Sequence, residues 1–176
     1  MVTRVHGIGV QPGTEHIWEW LAAIPDPEMP YISIVDLGIV RDVRWQAERL
    51  KVVLTPTYSG CPARLHIEQS IVLALQDRGL DGVQLETQLY PAWTSEWISA
   101  AGKARMRAAG VAPPLATQAA RQTLRFIPRE YVAPRPACPR CGALQTQLCN
   151  EFAGTSCKAL YRCEACTNPF EYFKAI

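Results

Sequence analysis

The sequence predicts an α/β (α+β) fold, with a small α-β-β-α-β domain around a three-stranded sheet and a short cysteine-rich tail. Three observations predict it. Apolar residues switch between helical spacing and two-residue alternation over residues 16–89. Six of the seven cysteines fall in the last 39 residues. The composition, 48% hydrophobic and 19% charged, is typical of a globular chain and excludes disorder along the whole chain.

The first helix and the first two strands are predicted within residues 16–55. Over residues 16–24 apolar side chains recur at helical spacing, and prolines at positions 25, 27 and 30 end that helix. A strand follows, and the residues expected on one of its faces are Ile39, Arg41, Val43 and Trp45. A second strand over residues 50–55 is predicted to pair with it as a hairpin.

A second helix over residues 62–78 and a third strand over residues 83–89 complete the predicted domain. The apolar residues of this helix repeat at four-residue steps and are Ile67, Ile71 and Leu75. Pro62 suits a first helical position, and Gly79 suits the residue that follows a helix. The order of these elements predicts the three-stranded sheet.

Charge and proline content divide the chain into three parts. A further short helix near Trp93 is predicted to end near residue 110 and closes a first domain over residues 1–110. Residues 111–136 hold five prolines within a basic region, so we predict an extended linker, and residues 137–176 form the tail. Because the basic residues are spread out and largely lack interleaved aromatic residues, a solvated linker is favoured over a nucleic-acid-binding arm.

Four of the tail cysteines have the spacing of a zinc ribbon. They form two C-x-x-C pairs separated by 21 residues, and they are Cys138, Cys141, Cys163 and Cys166. A tail of this size cannot bury enough surface to fold alone, so a structural zinc ion is expected, with an iron–sulfur cluster as the alternative. Cys149 is expected to be a small buried side chain, and Cys157, beside Lys158, to be exposed; neither receives a role.

Cys61 lies between a predicted strand and a predicted helix. A helix N-terminus favours the thiolate, so its pKa is expected to be lowered. A nucleophile, a metal ligand and a partly buried capping cysteine all fit this placement. His66 is poorly aimed to serve as a base, which disfavours a thiol-dependent enzyme. Asp26, Glu28 and Asp36 either stabilise turns or line the same strand-end surface as Cys61.

The N-terminal residues lack the apolar stretch of a secretory signal, and no apolar run is long enough to span a bilayer. We therefore expect a cytoplasmic protein that does not act at a membrane. In that reducing compartment, clustered cysteines are expected to bind metal and not to form disulfides.

Longer segments resemble a known family. D-P-E-M-P-Y-I-S-I-V-D-L-G-I-V-R-D-V and T-P-T-Y-S-G-C-P resemble the signature of the small iron–sulfur assembly domain of the SufT type, over about residues 15–90. C-P-R-C-G and F-A-G-T-S-C-K-A-L-Y-R-C-E-A-C-T-N-P-F-E-Y-F-K closely resemble the PaaD family of phenylacetate-degradation proteins. With these segments the resemblance runs nearly from end to end.

The resemblance implies a non-catalytic accessory or maturation factor for a multicomponent phenylacetyl-CoA epoxidase, with that enzyme's oxygenase and reductase components as partners. It implies a structural zinc ion in the tail and transient binding of iron or an iron–sulfur cluster in the body. The residues implied for this transfer site are Cys61, Asp26, Glu28, Asp36 and Thr57. A second protomer could supply another thiolate, which would favour a homodimer in the loaded state.

Three other functions stay open. The first is a structural or regulatory subunit, or adaptor, within the oxygenase complex that transfers no metal. The second is an enzyme in its own right, which the missing base and oxyanion motif disfavour. The third is a zinc-ribbon nucleic-acid binder, which the charge pattern disfavours.

Overall fold

The computed structural model describes residues 11–115 and 134–175. The middle of the predicted linker, residues 116–133, therefore lies outside the described residues. The elements, in chain order, are helix α1 (Thr14–Ala22), strands β1 (Val40–Gln46) and β2 (Arg49–Leu54), helix α2 (Arg64–Gln76), strand β3 (Gln84–Thr87), a 3₁₀ turn (Ser95–Trp97), helix α3 (Ala100–Ala108), and strands β4 (Val111–Ala112), β5 (Thr146–Asn150), β6 (Lys158–Cys163) and β7 (Pro169–Phe173).

The first sheet has the order β1-β2-β3 and confirms the predicted three-stranded α/β domain. β1 and β2 form the expected antiparallel hairpin, and β3 pairs in parallel with β2 because α2 carries the chain across between them. The central strand, β2, is buried along five of its six residues. Helix α2 buries the predicted stripe, which consists of Ile67, Ile71 and Leu75.

A bulge in β1 changes the predicted face assignment. The pairing with β2 shifts between Val40 and Asp42, so Val40 and Val43 are buried while Arg41 is exposed. The prediction that Arg41 shares a face with Val43 is therefore wrong. The Arg41 guanidinium instead lies 3.6 Å from the ring centroid of Trp97, in a cation–π contact with the turn that precedes α3.

The second sheet begins earlier in the chain than the sequence indicated. Its order is β4-β7-β6-β5, and β4 consists of Val111 and Ala112, which pair in parallel with β7. The prediction that the linker begins at residue 111 is wrong at these two positions. They are drawn into the sheet because Val111 is buried with the apolar core of the first domain.

The second sheet lies between the apolar core of the first domain and a smaller apolar core within the tail. Val111 and Phe173 belong to the core of the first domain, whereas their neighbours Ala112 and Tyr172 belong to a smaller core within the tail. Alternate residues of a strand point to opposite faces, so β4 and β7 contribute to both cores. The rings of Phe173 and Trp93 meet edge to face with centroids 6.0 Å apart. The tail is thus packed directly on the body.

No helix within residues 11–115 and 134–175 is both long enough and apolar enough to cross a bilayer.

Candidate metal sites

The four cysteines of the two C-x-x-C pairs converge in the tail. Their sulfur atoms all lie within 4.8 Å of one another. Across the two pairs, the Sγ atoms of Cys138 and Cys166 are 3.8 Å apart, and those of Cys141 and Cys163 are 3.6 Å apart. Cys163 is the last residue of β6, and Cys166 lies in the turn that follows. The end of this strand therefore places the second C-x-x-C pair beside the first.

These distances fit a single tetrahedral metal ion. With zinc–sulfur bonds of about 2.3 Å, the sulfurs at the corners of a tetrahedron lie about 3.8 Å apart. A four-iron cluster would separate the sulfurs further, because each cysteine then binds a different iron atom. The arrangement therefore fits one tetrahedrally bound metal ion, such as a structural zinc ion, better than a four-iron cluster. Four cysteine ligands would close the coordination sphere and leave no position for a substrate.

Each cysteine pair sits on a tight turn. Gly142 takes a left-handed conformation, with φ of 77°, and its amide donates to the carbonyl of Cys138 at 2.9 Å. In the second turn the amide of Cys166 points to the sulfur of Cys163 at 3.5 Å. The amide and side chain of Asn168 lower the pKa of Cys166 to about 6, so this thiolate forms readily.

Cys61 lies in the turn between β2 and α2. Its amide donates to the carbonyl of Tyr58 at 3.1 Å, and its own carbonyl accepts from the amide of Arg64 at 3.3 Å. Helix α2 begins at Arg64, so the prediction that Pro62 is its first residue is wrong by two positions. Cys61 itself is half-buried.

The surroundings of Cys61 raise its pKa, contrary to the prediction. Burial is the main cause, and the carboxylates of Glu28 and Asp26 raise the pKa further. The amide of Ala63 and a hydrogen bond with Thr57 act in the opposite direction without offsetting the burial. At neutral pH the sulfur is therefore held mainly as the thiol, and a bound cation would have to displace its proton.

Asp26 and Glu28 belong to the turn that faces Cys61. The Oδ1 atom of Asp26 accepts from the amides of Glu28 at 3.0 Å and Met29 at 2.9 Å, which secures the turn. Asp26 is only 5% exposed, and its burial raises the pKa of its carboxyl group. Glu28 is half-buried and serves the turn through its backbone amide, so its carboxylate is the more available of the two.

Asp36 makes a different set of contacts. Its carboxylate accepts from the hydroxyls of Ser99 at 2.6 Å and Ser33 at 3.2 Å, and it forms an ion pair with Arg105. Ser99 is the residue that caps the N-terminus of α3, so Asp36 ties that helix to the loop over residues 33–38. Thr57, Asp26 and Glu28 all influence the pKa of Cys61, whereas the carboxylate of Asp36 is engaged by Ser33, Ser99 and Arg105.

The two unassigned cysteines are placed opposite to expectation. Cys149 is exposed, and Cys157 is buried at 5% exposure within the core of the first domain. Sequence reasoning also missed Tyr58, whose pKa is raised mainly by burial and is lowered in part by the side chain of Ser156. The polar residues around Cys157 indicated exposure, and only the packing of the tail on the body covers this residue.

Comparison with known protein families gives one match in each half of the chain. A sequence model of the iron–sulfur cluster assembly protein family matches residues 14–84. A model of the PaaD zinc beta ribbon domain matches residues 129–174. A protein of Escherichia coli (strain K12), provisionally named as a subunit of 1,2-phenylacetyl-CoA epoxidase, is 42% identical over 165 residues, which cover 94% of each chain.

Two solved structures are similar to part of the chain. The domain of unknown function DUF59 from Bacillus anthracis is 25% identical, with a TM-score of 0.49, and covers 52% of this chain and 89% of its own. A conserved hypothetical protein from Thermotoga maritima is also 25% identical, with a TM-score of 0.48, and covers 56% of this chain and 98% of its own.

Proposed function

Because this chain belongs to the PaaD family, together with the Escherichia coli protein named for 1,2-phenylacetyl-CoA epoxidase, we propose that it is a non-catalytic maturation factor for such an epoxidase. In this role it delivers iron or an iron–sulfur cluster to the oxygenase or reductase component of the enzyme. The four-cysteine zinc site holds the tail in shape, and the transfer site is Cys61.

The observation that carries the proposal is the position of Cys61 beside an acidic turn. Thr57 favours its thiolate, and the carboxylates of Glu28 and Asp26 act on it electrostatically. Sulfur is a soft ligand that suits iron and its clusters, and carboxylate oxygens add negative charge that attracts a cation. These groups lie on a domain that matches an iron–sulfur cluster assembly family.

The same surroundings favour reversible binding. A stable cluster generally needs four strong protein ligands, whereas this surface offers one half-buried thiol. Since burial raises the pKa of Cys61, binding of a cation also has to release a proton. Both effects weaken the binding of iron or of an iron–sulfur cluster at Cys61. Weak binding suits a carrier, because a carrier must release the metal to its client protein.

Asp36 enters the proposal as a positioning residue and not as a donor. Its carboxylate is engaged by Ser33, Ser99 and Arg105, so it stabilises the loop that connects the acidic turn to β1. This assignment differs from the role that the family resemblance implies for it.

The proposal is tested by anaerobic measurement of zinc, iron and acid-labile sulfide in wild type, Cys61→Ala and the matched control Cys149→Ala. Cys149 is exposed and is not one of the four converging cysteines. We expect one zinc ion per chain in all three proteins, and substoichiometric iron and sulfide in wild type and Cys149→Ala only. Iron and sulfide at wild-type levels in Cys61→Ala would overturn the role of Cys61.

A second candidate function is that of an adaptor within the oxygenase complex, and the exposed face of α2 favours it. Leu65 and Leu73 are 61% and 60% exposed on this helix and border an open apolar groove with Leu85. An adaptor would co-purify in stoichiometric amounts with the oxygenase, and Cys61→Ala would leave epoxidase activity intact. A maturation factor would instead raise the iron content of the purified epoxidase components when both are produced together.

A further inference from the structure

Strand β3 forms an edge of the first sheet that has no neighbouring strand on one side within residues 11–115 and 134–175. On its other side it pairs with β2. The amide of Gln88, directly after β3, donates to the carbonyl of Leu54 in β2 at 2.8 Å. Backbone groups alternate in direction along a strand, so those of Leu85 and Thr87 point away from β2. They are placed to pair with a further strand.

The sequence of β3 does not protect this edge. Natural sheets protect their edges with lysine, proline or a bulge. β3 reads Q-L-E-T, and its one charged residue, Glu86, forms an ion pair with Lys51 of β2. The edge therefore carries no uncompensated charge that would repel a second strand.

An apolar groove runs along the same edge, between β3 and α2. Leu65 and Leu73 of α2 and Leu85 of β3 line it. Leu89 and Tyr90, which follow β3 closely, are 59% and 88% exposed. We name these five residues, together with the free edge of β3, the β3 edge surface.

From this arrangement we infer that the β3 edge surface is the interface of a symmetric dimer, in which β3 pairs antiparallel with β3 of a second copy. In a twofold dimer both chains use the same surface, so the two free edges cover each other. The combined sheet has six strands, with α2 of each copy on the same face. The inference goes beyond the proposed function and does not depend on the role of Cys61.

The residues of β3 favour one register of this pairing. An axis at Thr87 places Leu85 opposite Leu89 of the second copy and Thr87 opposite its own copy, and such cross-strand pairs are stabilising. An axis at Glu86 would place two carboxylates opposite each other, which is destabilising. The twofold axis therefore passes at Thr87.

The same pairing brings the two copies of α2 to packing distance. Ile67 of α2 lines one small cavity with Leu54 of β2 and Thr87 of β3, so α2 lies over the space between these strands. Because strands lie about 4.8 Å apart, each helix is then about 4.8 Å from the axis and about 10 Å from its copy. Packed helices lie about 8–10 Å apart, so the two grooves close on each other.

The helices meet in the register that the strands require. The hydroxyl of Thr87 donates to the carboxylate of Glu68 at 3.4 Å, and Glu68 lies near the middle of the row from Leu65 to Leu73. An axis at Thr87 therefore places Leu65 beside Leu73 of the antiparallel second helix. Arg64 forms an ion pair with Glu68, which compensates the charge of this carboxylate near the axis.

The exposed area suits a dimer interface. Leu65 and Leu73 are 61% and 60% exposed, and with Leu89 and Tyr90 they offer roughly 400 Å² of apolar surface per chain. A stable interface buries about 800 Å² per partner, and the backbone of the paired strands and the polar margin of the groove supply the rest. A second copy therefore covers a surface of the required size.

The test is the mass of the zinc-loaded full chain in solution, measured by light scattering and by analytical ultracentrifugation. We expect wild type to have twice the mass of one chain. Leu73→Glu should weaken the dimer by roughly tenfold or more, because it buries a charge in the interface. The matched control is Leu144→Glu, since Leu144 is 63% exposed in the tail, and it should remain a dimer.

A cross-link tests the register without relying on Leu73→Glu. Directly opposed residues that exchange hydrogen bonds have Cα atoms about 5.5 Å apart, which suits a disulfide. In a Cys149→Ser background, Thr87→Cys should therefore form a disulfide with its own copy on oxidation with diamide, identified by peptide mass spectrometry. Gln88→Cys, which would face Glu86 of the second copy, should link far less.

A monomeric wild type at about 100 µM would overturn the inference. If that monomer bound an epoxidase component and Leu73→Glu abolished the binding, the surface would belong to the adaptor function instead. If hydrogen exchange showed protected amides at Leu85 and Thr87 in the monomer, a segment of the same chain would cover the edge. A dimer that Leu73→Glu leaves unchanged and Thr87→Cys does not link would place the interface elsewhere. None of these outcomes changes the metal content expected for Cys61→Ala, so the proposed function is tested separately.

Discussion

The charge state of Cys61 depends on residues that are far from it in the sequence. Burial and the carboxylates of Glu28 and Asp26 raise the pKa of its thiol, although the amide of Ala63 favours the thiolate. Of these influences, the local sequence around Cys61 shows only that of the Ala63 amide, which favours the thiolate. The reactivity of Cys61 is therefore a sensitive measure of whether the acidic turn faces it in solution.

We predict that Glu28→Gln makes Cys61 more reactive. Removal of a negative charge near the thiol lowers its pKa, so more thiolate is present at a given pH. We expect alkylation of Cys61 by iodoacetamide to be roughly threefold faster at pH 8, because a larger fraction of the thiol is ionised. Peptide mapping by mass spectrometry measures the rate at this one cysteine.

The direction of the pH dependence is part of this prediction. Alkylation should accelerate as pH rises towards the raised pKa of Cys61 in wild type, and the variant's curve should lie at lower pH. Glu96→Gln serves as the control, because Glu96 is exposed in the 3₁₀ turn before α3. Superimposable profiles for wild type and Glu28→Gln would show that Glu28 does not act on Cys61.

At the scale of elements, α3 is attached to the loop over residues 33–38 by one carboxylate. Asp36→Ala would leave the hydroxyls of Ser33 and Ser99 and the cation of Arg105 without this partner. We expect it to reduce the free energy of unfolding by about 2 kcal/mol, measured by chemical denaturation. Because Asp36 positions and does not bind, iron bound per folded molecule should stay at the wild-type level. Lost iron binding with unchanged stability would identify Asp36 as a donor.

The same loop passes very close to the turn before α3. Gly38 has φ of 71°, and a Cβ atom added there would lie 2.7 Å from the Cβ of Trp97 and 2.8 Å from its carbonyl oxygen. Helix α2 ends at Gln76, two residues before the predicted end, so Gly79 is not its C-cap as expected. Gly79 has a similar φ of 81° with no atom within 4 Å of an added Cβ. The two positions therefore separate the conformational cost of a left-handed residue from the steric cost.

We predict that Gly79→Ala destabilises the protein by about 1 kcal/mol, the cost of a left-handed alanine. Gly38→Ala should cost about 1–3 kcal/mol more, because the backbone of Trp97 cannot give way as a flexible side chain would. Chemical denaturation followed by tryptophan fluorescence measures both values. Equal costs for the two variants would mean that the loop and the turn before α3 do not approach each other this closely in solution.

At the scale of the whole molecule, the second sheet couples the zinc site to the body. Its strands present Val111 and Phe173 to one core and Ala112 and Tyr172 to the other. The buried Lys158 forms a 2.8 Å ion pair with Glu171 on this sheet, and its charge also acts on Asp26 of the acidic turn. Unfolding of the tail should therefore change the electrostatic surroundings of Asp26, and through Asp26 those of Cys61.

We predict that removal of zinc by a chelator exposes Cys157 to alkylation. Structural zinc contributes about 10–16 kcal/mol of apparent binding free energy in small zinc domains, which is comparable to the stability of a whole domain. The tail should therefore unfold without zinc. Mass spectrometry before and after chelation should show Cys157 changing from protected to modified. Cys149 is exposed and should react readily in both states, so it serves as an internal control. Continued protection of Cys157 would mean that the body alone holds this turn.

Features that depend on neighbours in sequence were predictable. Four-residue apolar steps and two-residue alternation indicated the order of helices and strands, since these periods follow from backbone geometry. The spacing of Cys138, Cys141, Cys163 and Cys166 indicated their metal site, because a C-x-x-C turn presents two sulfurs to one ion. The bulge at Arg41 was not visible, because it arises from pairing with another strand.

By itself, the sequence determined the family of the chain, the order of its elements and the four converging cysteines of the zinc ribbon, all of which are properties of local pattern. The tertiary structure decided that Cys157 is buried, that Asp36 is engaged by α3 and that the pKa of Cys61 is raised and not lowered. Burial and electrostatic interaction depend on distances in space. The burial of Cys157 is set by the packing of the tail on the body, whereas the contacts of Asp36 and the charges around Cys61 are set by the folding of the body itself.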